Sequence, residues 1–203
     1  MKIAVISAGN IGGTLAKGWA ANGHEVYVGV RDPQGDKAKK LTGIANLKLC
    51  SVAEAAAAAP VILLAAHPPA TKDICTQLGD TQGKVIIDTM NSVFAKAEGF
   101  DSTFRALQAW TQAEVVKCFN STGFENMLNP RYGDQAVEMF MAGSSARAKE
   151  IAKQLSLDLG FADCIDFGGD EEVGLLEDFA RIWINLAFKQ GLGRSFAIKL
   201  LKR

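Results

Sequence analysis

The chain has 203 residues, of which 48% are apolar and 22% charged; this is the composition of a globular domain with ample material for a core. Its 22 Lys and Arg balance 22 Asp and Glu, which excludes a global field for nucleic acid or an acidic membrane surface. The four cysteines, at 50, 75, 118 and 164, have no metal-binding or paired spacing, so no metal is expected; Cys118 and Cys164 fall in apolar runs that suit reduced thiols in a reducing compartment. The first residues run straight into a strand pattern without a charged leader. No apolar run approaches the roughly 18 residues of a membrane span. The expectation is a cytoplasmic protein with neither nucleic acid nor membrane as partner.

Strand patterns fall at residues 2–7, 25–30, 47–50, 61–66, 85–88, 115–119, 137–142 and 162–167. The early ones are short and nearly continuous in Val, Ile and Leu, as in parallel strands covered on both faces. Helical patterns alternate with them at 11–21, 36–42, 52–59, 69–77, 100–110 and 146–159. Asn22-Gly23 marks a turn and Pro60 stops the alanine-rich helix. The alternation predicts an α/β fold, a Rossmann doubly wound and mostly parallel sheet over residues 1–168. Residues 169–203 read as a small helical part packed on it or at a dimer interface. There Asp170 is placed to cap a long helix running to about Lys189. Leu175, Leu176, Phe179, Ile182, Trp183, Ile184, Leu186 and Phe188 make that helix apolar on nearly every face. Such a helix must be buried on several sides, and a homodimer is expected. The basic end, 195–203, has two readings: a tail over the cofactor cleft, or a surface helix with solvated lysines.

The glycine turn lies between the first strand and the first helix, in Ser7-Ala8-Gly9-Asn10-Ile11-Gly12. That is the context a dinucleotide fingerprint needs. Gly9 lets the backbone approach a pyrophosphate, the helix offers unpaired N–H groups, and Gly12 lets helix and strand pack closely. Ser7 stands where the first glycine of the pattern is expected, and its hydroxyl can donate a hydrogen bond. At the end of the second strand, an acid that would bond the ribose of NAD is replaced by Val30, followed by Arg31. A guanidinium there suits a 2′-phosphate, and Lys37, Lys39 and Lys40 add positive field. Asp32 is the counterargument, since a one-residue slip makes it an NAD-type acid. The reading is NADP(H).

Ligands in open α/β sheets lie beyond the carboxyl ends of the strands. The fourth strand is followed by Ala66-His67-Pro68-Pro69, the fifth by Thr89-Met90-Asn91-Ser92, and the sixth by Asn120-Ser121-Thr122-Gly123. Asn91 and Asn120 carry donors and acceptors for a carboxamide or a ring edge. His67 reads either as a contact or proton donor for the substrate, or as a capping or core histidine. His24 reads as structural, and Asp88 as a partner of loop backbone. No Ser/His/Asp order, carboxylate pair or His cluster supports a hydrolase or a metal centre. The cofactor-binding candidates are Ser7, Ala8, Gly9, Asn10, Ile11, Gly12, Arg31, Ala66, His67 and Asn91. Substrate-site candidates are His67, Asn91 and Asn120, and no catalytic group is assigned.

Several of these residues together resemble the family of NADPH-dependent reductases of the deazaflavin coenzyme F420. They also resemble the related cytosolic reductase domain of the Steap ferric reductases. The resemblance is carried by Gly9-Asn10-Ile11-Gly12, by Gly23-His24-Glu25-Val26 with Gly29-Val30-Arg31-Asp32, by Val116-Lys117-Cys118-Phe119-Asn120 with Gly123, and by Gly193-Arg194. It implies a Rossmann domain with a small C-terminal part, NADP(H), and hydride transfer to a flavin-like ring, with F420 or a flavin as co-substrate. The chain departs from the family pattern at Ser7, at Val30 where a small hydroxyl residue is usual, and at Asn91-Ser92 where Asn-Pro is common. The readings are an NADP(H)-dependent oxidoreductase acting on a flavin-like or other small acceptor, an imine reductase like pyrroline-carboxylate reductase, or a non-enzymatic NADP-sensing subunit.

Overall fold

The computed structural model describes residues 1–201 and 203. Six parallel strands form its centre: β1 (Lys2–Ile6), β2 (Glu25–Gly29), β3 (Leu47–Cys50), β4 (Val61–Leu64), β5 (Val85–Asp88) and β6 (Glu114–Cys118), in the order β3-β2-β1-β4-β5-β6. A two-residue-per-strand hairpin, β7 (Arg131–Tyr132) and β8 (Gln135–Ala136), follows outside the main sheet. The chain returns as β9 (Met139–Ala142), antiparallel to β6 through Lys117–Ala142 and Cys118–Met141, and β10 (Cys164–Asp166) runs parallel to β9. The result is an eight-stranded, mostly parallel Rossmann-like sheet. β1, β4 and β5 are almost wholly buried, which is why their residues read as continuous apolar runs rather than alternating ones.

Helices cover both faces. On one face α1 (Asn10–Ala21) and α7 (Ala146–Asp158) bury Leu15, Trp19 and Leu155 against Ile3, Val5 and Val28. Trp19 Nε1 donates to the Leu155 carbonyl at 3.0 Å, pinning the two helices. On the other face α3 (Val52–Ala58), α4 (Thr71–Leu78), α5 (Thr103–Trp110) and α8 (Val173–Ile184) pack on Ile6, Ile62, Leu64 and Ile86. Local sequence sets their starts. Ser51 and Glu54 form a capping box on α3. Ser102 accepts from Arg105 N at 3.3 Å to cap α5, and Ser145 accepts from Ala148 N at 3.0 Å to cap α7.

Several expectations need correction. The helix expected at 36–42 is the single turn α2 (Asp36–Lys39). The one expected at 69–77 begins as a 3-10 turn, Pro68–Ala70, because prolines suit a first turn that needs no N–H. α6 (Phe124–Leu128) and the β7–β8 hairpin carry no strong sequence pattern and were not expected. Asp170 does not cap the last helix. Its Oδ1 accepts from Ser144 N at 2.7 Å and its Oδ2 from Gln108 at 2.7 Å, so partners from two other segments have claimed it. The last helix is itself divided into a 3-10 turn (Asp170–Glu172), α8, and a π turn (Asn185–Lys189). It is buried on one side only, through Val173, Leu176, Ala180 and Trp183; Leu175, Ile182 and Phe188 are exposed.

The described part of the basic end, 195–201 and 203, forms no helix, and Lys202 lies outside the described residues. The end is an extended strap whose backbone is captured by side chains. The Phe196 carbonyl accepts from Trp183 Nε1 at 3.0 Å and Asn126 Nδ2 at 2.7 Å, and Glu138 accepts from Leu200 N at 3.2 Å. Arg194 holds the strap to α6 with two bonds to the Glu125 carboxylate, 2.6 and 3.0 Å, and faces the Phe124, Trp183 and Phe188 rings. The strap therefore lies beyond the end of β6, with Ala197 and Ile198 beside Ser121 and Thr122.

Candidate cofactor and substrate site

The chain leaves β1 toward β2 on one side and β4 toward β5 on the other. This reversal opens a crevice at the carboxyl ends of β1 and β4, the usual ligand position in such sheets. The glycine turn forms one wall. Ser7 has φ 105°, a conformation glycine adopts readily and serine rarely. Its N–H bonds the Gly29 carbonyl at 3.0 Å, and its Oγ accepts from Gly9 N at 3.2 Å. Gly9 precedes α1 in extended conformation and offers no side-chain cap, and the first turn has no acidic residue. The N–H groups of Asn10, Ile11 and Gly12 thus face outward without intrahelical partners, at the positive end of the helix dipole. A Cβ on Gly12 would sit 2.2 Å from the Ser7 carbonyl oxygen and 3.3 Å from Ala65 Cβ. Only glycine lets α1 approach β1 this closely.

The second strand ends in closely packed backbone followed by exposed charge. Gly29 packs so closely that a Cβ would meet Val52 Cα at 3.0 Å. Val30 is turned into the core cluster. Arg31 is exposed, and among the described residues its guanidinium has no hydrogen-bond or ion-pair partner. Lys37, Lys39 and Lys40 on or beside α2 are exposed as well. Asp32 is engaged differently: its Oδ1 accepts from Gln34 N at 2.9 Å and its carbonyl accepts from Gly35 N at 3.3 Å. It closes the loop on itself, as Asp commonly does. The structure thus brings together an open anion cradle and a free guanidinium, a donor set that fits NADP(H).

The opposite wall carries the remaining candidates. Ala66 is half-buried against the second core cluster. His67 is exposed at the start of the Pro68–Ala70 turn; its carbonyl accepts from Ala70 N at 2.9 Å, and its ring makes no capping bond. The core-histidine reading is therefore set aside. Asn91 and Asn120 clasp one another: Asn91 Nδ2 donates to the Asn120 carbonyl at 2.8 Å, and Asn120 Nδ2 donates to Asn91 Oδ1 at 3.0 Å. Asn120 Oδ1 is buried without a partner among the described residues. The residue before it, Phe119, is buried at φ 58°. Strained backbone at the ends of both β1 and β6 is a pattern that accompanies functional sites.

Two features here escaped sequence reasoning. Asp88 does bond loop backbone, through Met90 N at 2.9 Å, but its other oxygen takes Lys117 Nζ at 3.0 Å and Thr103 Oγ1 at 2.7 Å. Lys117, fully buried in β6, also bonds Glu177 of α8 at 2.6 Å. A lysine inside an otherwise apolar strand pattern was the available signal, because a buried ammonium demands a partner. The second is a cavity of about 360 Å³ beside Ser92, with Arg105, Glu177 and Arg181 in its walls. His24 is structural as expected: its ring pairs with Asp158 at 2.9 Å and with the terminal amine at 3.2 Å.

Residues 2–92 match the family described as "NADP oxidoreductase coenzyme F420-dependent", so the resemblance read in the sequence is met over the nucleotide-binding half. No curated protein matches the chain. Among solved structures, a provisionally assigned F420-dependent NADP reductase from Arthrobacter sp. FB24 is 27% identical, with TM-score 0.86 over 100% of both chains. A hypothetical protein from Sinorhizobium meliloti is 25% identical, with TM-score 0.69 over 83% of this chain and 85% of its own. An imine reductase from Streptomyces aurantiacus is 17% identical, with TM-score 0.70 over 92% of this chain and 61% of its own. That last likeness is one of fold. Among the described residues no helix is long and apolar enough to cross a membrane.

Proposed function

We propose that this chain, whose residues 2–92 match the F420-dependent NADP oxidoreductases, moves hydride between NADPH and a flavin-like or other small acceptor. It is an NAD(P)-dependent oxidoreductase. The observation that carries the NADP reading is the pair formed by the unpartnered Arg31 and the self-engaged Asp32. The turn at Ser7–Gly12 would hold the pyrophosphate, Arg31 the 2′-phosphate, and Ala66, His67 and Asn91 the nicotinamide end. When bound, the nicotinamide supplies the hydride, so the protein's share is orientation rather than acid–base chemistry. The Asn91–Asn120 clasp is suited to that task because each amide fixes the other's rotamer. The exposed His67 ring would contact the ribose or the acceptor; with an imine acceptor it would instead donate the proton that the nitrogen takes up when hydride adds to the adjacent carbon.

The test is an oxidant screen with NADPH: F420, FMN, riboflavin, quinones, ferric chelates and cyclic imines, followed at the NADPH absorbance. Turnover with a ring acceptor supports the reading. Turnover with pyrroline-type imines alone favours the second reading, an imine reductase, which the fold likeness to such enzymes motivates. Tight NADPH binding with no turnover favours an NADP-sensing subunit. A homodimer through the exposed Leu175, Ile182 and Phe188 face is part of this proposal. Light scattering at micromolar concentration reads it, and a monomer would refute it.

A further inference from the structure

We infer that Lys117 is a positioning residue for the reaction site, setting through Asp88 and Glu177 the spacing of the two loops that carry Asn91 and Asn120; its catalytic consequence rests on the oxidoreductase reading above. β5 and β6 run in register, and Asp88 and Lys117 are partners at the last paired position. Each strand then continues three residues to its asparagine, so the ion pair and the amide clasp are two rungs of one ladder. Strand pairing does not require charge at the first rung. An apolar pair of similar volume would join the strands without desolvating ions, and such replacements of buried ion pairs are often neutral or stabilising. Charge adds direction instead. Asp88 Oδ1 accepts from Met90 N at 2.9 Å, which holds the backbone one residue before Asn91, while Oδ2 takes the lysine at 3.0 Å. The ammonium also donates to Thr103 Oγ1 at 3.3 Å and to Glu177 Oε1 at 2.6 Å, so all three of its protons are placed. Lys117 is 0% exposed, and no water competes for those bonds. α8 completes the frame. Glu177 meets the exit of β6 before Asn120, and Trp183 on the same helix meets it after: a Cβ on Gly123 would lie 2.9 Å from the Trp183 ring. The helix thus brackets residues 118–122, and a shift of α8 moves Asn120 against Asn91. Transfer between two rings is steep in geometry, since a misplacement of about 1 Å can cost on the order of 100-fold in rate.

The test compares Lys117→Met, which removes the ionic rung, with Glu177→Leu, which frees α8 but keeps the neutral Lys117–Asp88 pair and so guards against a folding defect in the first variant. Two readouts are taken well below each variant's Tm. Hydrogen exchange of the Asn91 and Asn120 side-chain amides, followed by NMR, should quicken about 5-fold or more as the clasp loosens. Steady-state kinetics with NADPH and F420, or FMN where F420 is not turned over, should show kcat lower by about 10-fold or more. The NADPH Kd should stay within about 3-fold of wild type, because Arg31 and the glycine turn belong to the β1–β2 side of the crevice and lose no phosphate contact. Wild-type amide exchange or wild-type kcat in the folded variants, with only Tm lowered, is what a purely stabilising triad would give and overturns the inference. Faster amide exchange in the variants of a protein whose wild type oxidises NADPH with neither acceptor would uphold the frame and count against the oxidoreductase reading instead.

Discussion

Gly12 offers a prediction whose size follows from geometry. In Gly12→Ala the new Cβ would lie 2.2 Å from the Ser7 carbonyl oxygen and 3.3 Å from Ala65 Cβ. The first obstacle is backbone of the strand exit, so no rotamer change removes the clash. α1 must move off β1 by about 1 Å, the gap to an ordinary carbon–oxygen contact of about 3.2 Å. Leu15, Ala16 and Trp19 on that helix are 0% exposed, and lifting them loosens the packing of a close-packed face. Overpacking costs about 1–3 kcal/mol, and a rigid wall places this case near 3. For a chain of this length that lowers Tm by roughly 6–12 °C. The same displacement withdraws the α1 amides from the pyrophosphate, so NADPH affinity should fall at least 10-fold while far-UV circular dichroism stays native. Calorimetry and thermal melts read both quantities. A variant with wild-type Tm and wild-type NADPH affinity would refute the close-approach argument.

Arg31→Ala should weaken NADPH about 10–100-fold, the worth of a charge-assisted bond to phosphate, and leave NADH nearly unchanged; competition binding separates the two. Asp32→Asn keeps the Gln34 turn acceptor and should change the NADH affinity less than 3-fold; a large loss would restore Asp32 as a ribose acid. Lys117→Met leaves the Asp88 and Glu177 carboxylates without their cation. Removing one partner of a buried pair costs about 3–5 kcal/mol, which urea denaturation would detect as a lower midpoint. Burial pushes the Cys75 thiol up to about 11, and burial together with the neighbouring Cys164 thiol holds Cys118 well above the ordinary thiol range. Alkylation at pH 8 followed by mass spectrometry should therefore modify the half-exposed Cys50 first; early labelling of Cys118 would contradict the packing of β6.

The parts of this fold legible in sequence are those decided locally. Lys2–Ile6, the glycine turn and Glu25–Gly29 follow one another closely enough that strand, turn and helix patterns determine the crevice wall. Arg31 could be placed because the strand before it fixes its position. What was illegible depends on residues far apart in the chain. Lys117 meets Asp88 and Glu177 across 29 and 60 positions, and nothing in a window around it names those partners. Asp170 has the form of a helix cap, yet Ser144 and Gln108 compete for its oxygens more effectively than the helix does. The terminal strap has a helical pattern, but Trp183, Asn126 and Glu138 capture its backbone groups in an extended path. The candidates Asn91 and Asn120 were found by strand-end position; their mutual clasp was not, because it is a contact across 29 residues.

The most direct measurement is the ratio of NADPH to NADH affinity of the unmodified protein at physiological salt. The unpartnered Arg31 beside a self-engaged Asp32 predicts NADPH bound at least 10-fold tighter, with the preference shrinking as salt screens the exposed guanidinium. Equal affinities, or tighter NADH binding, would contradict the account.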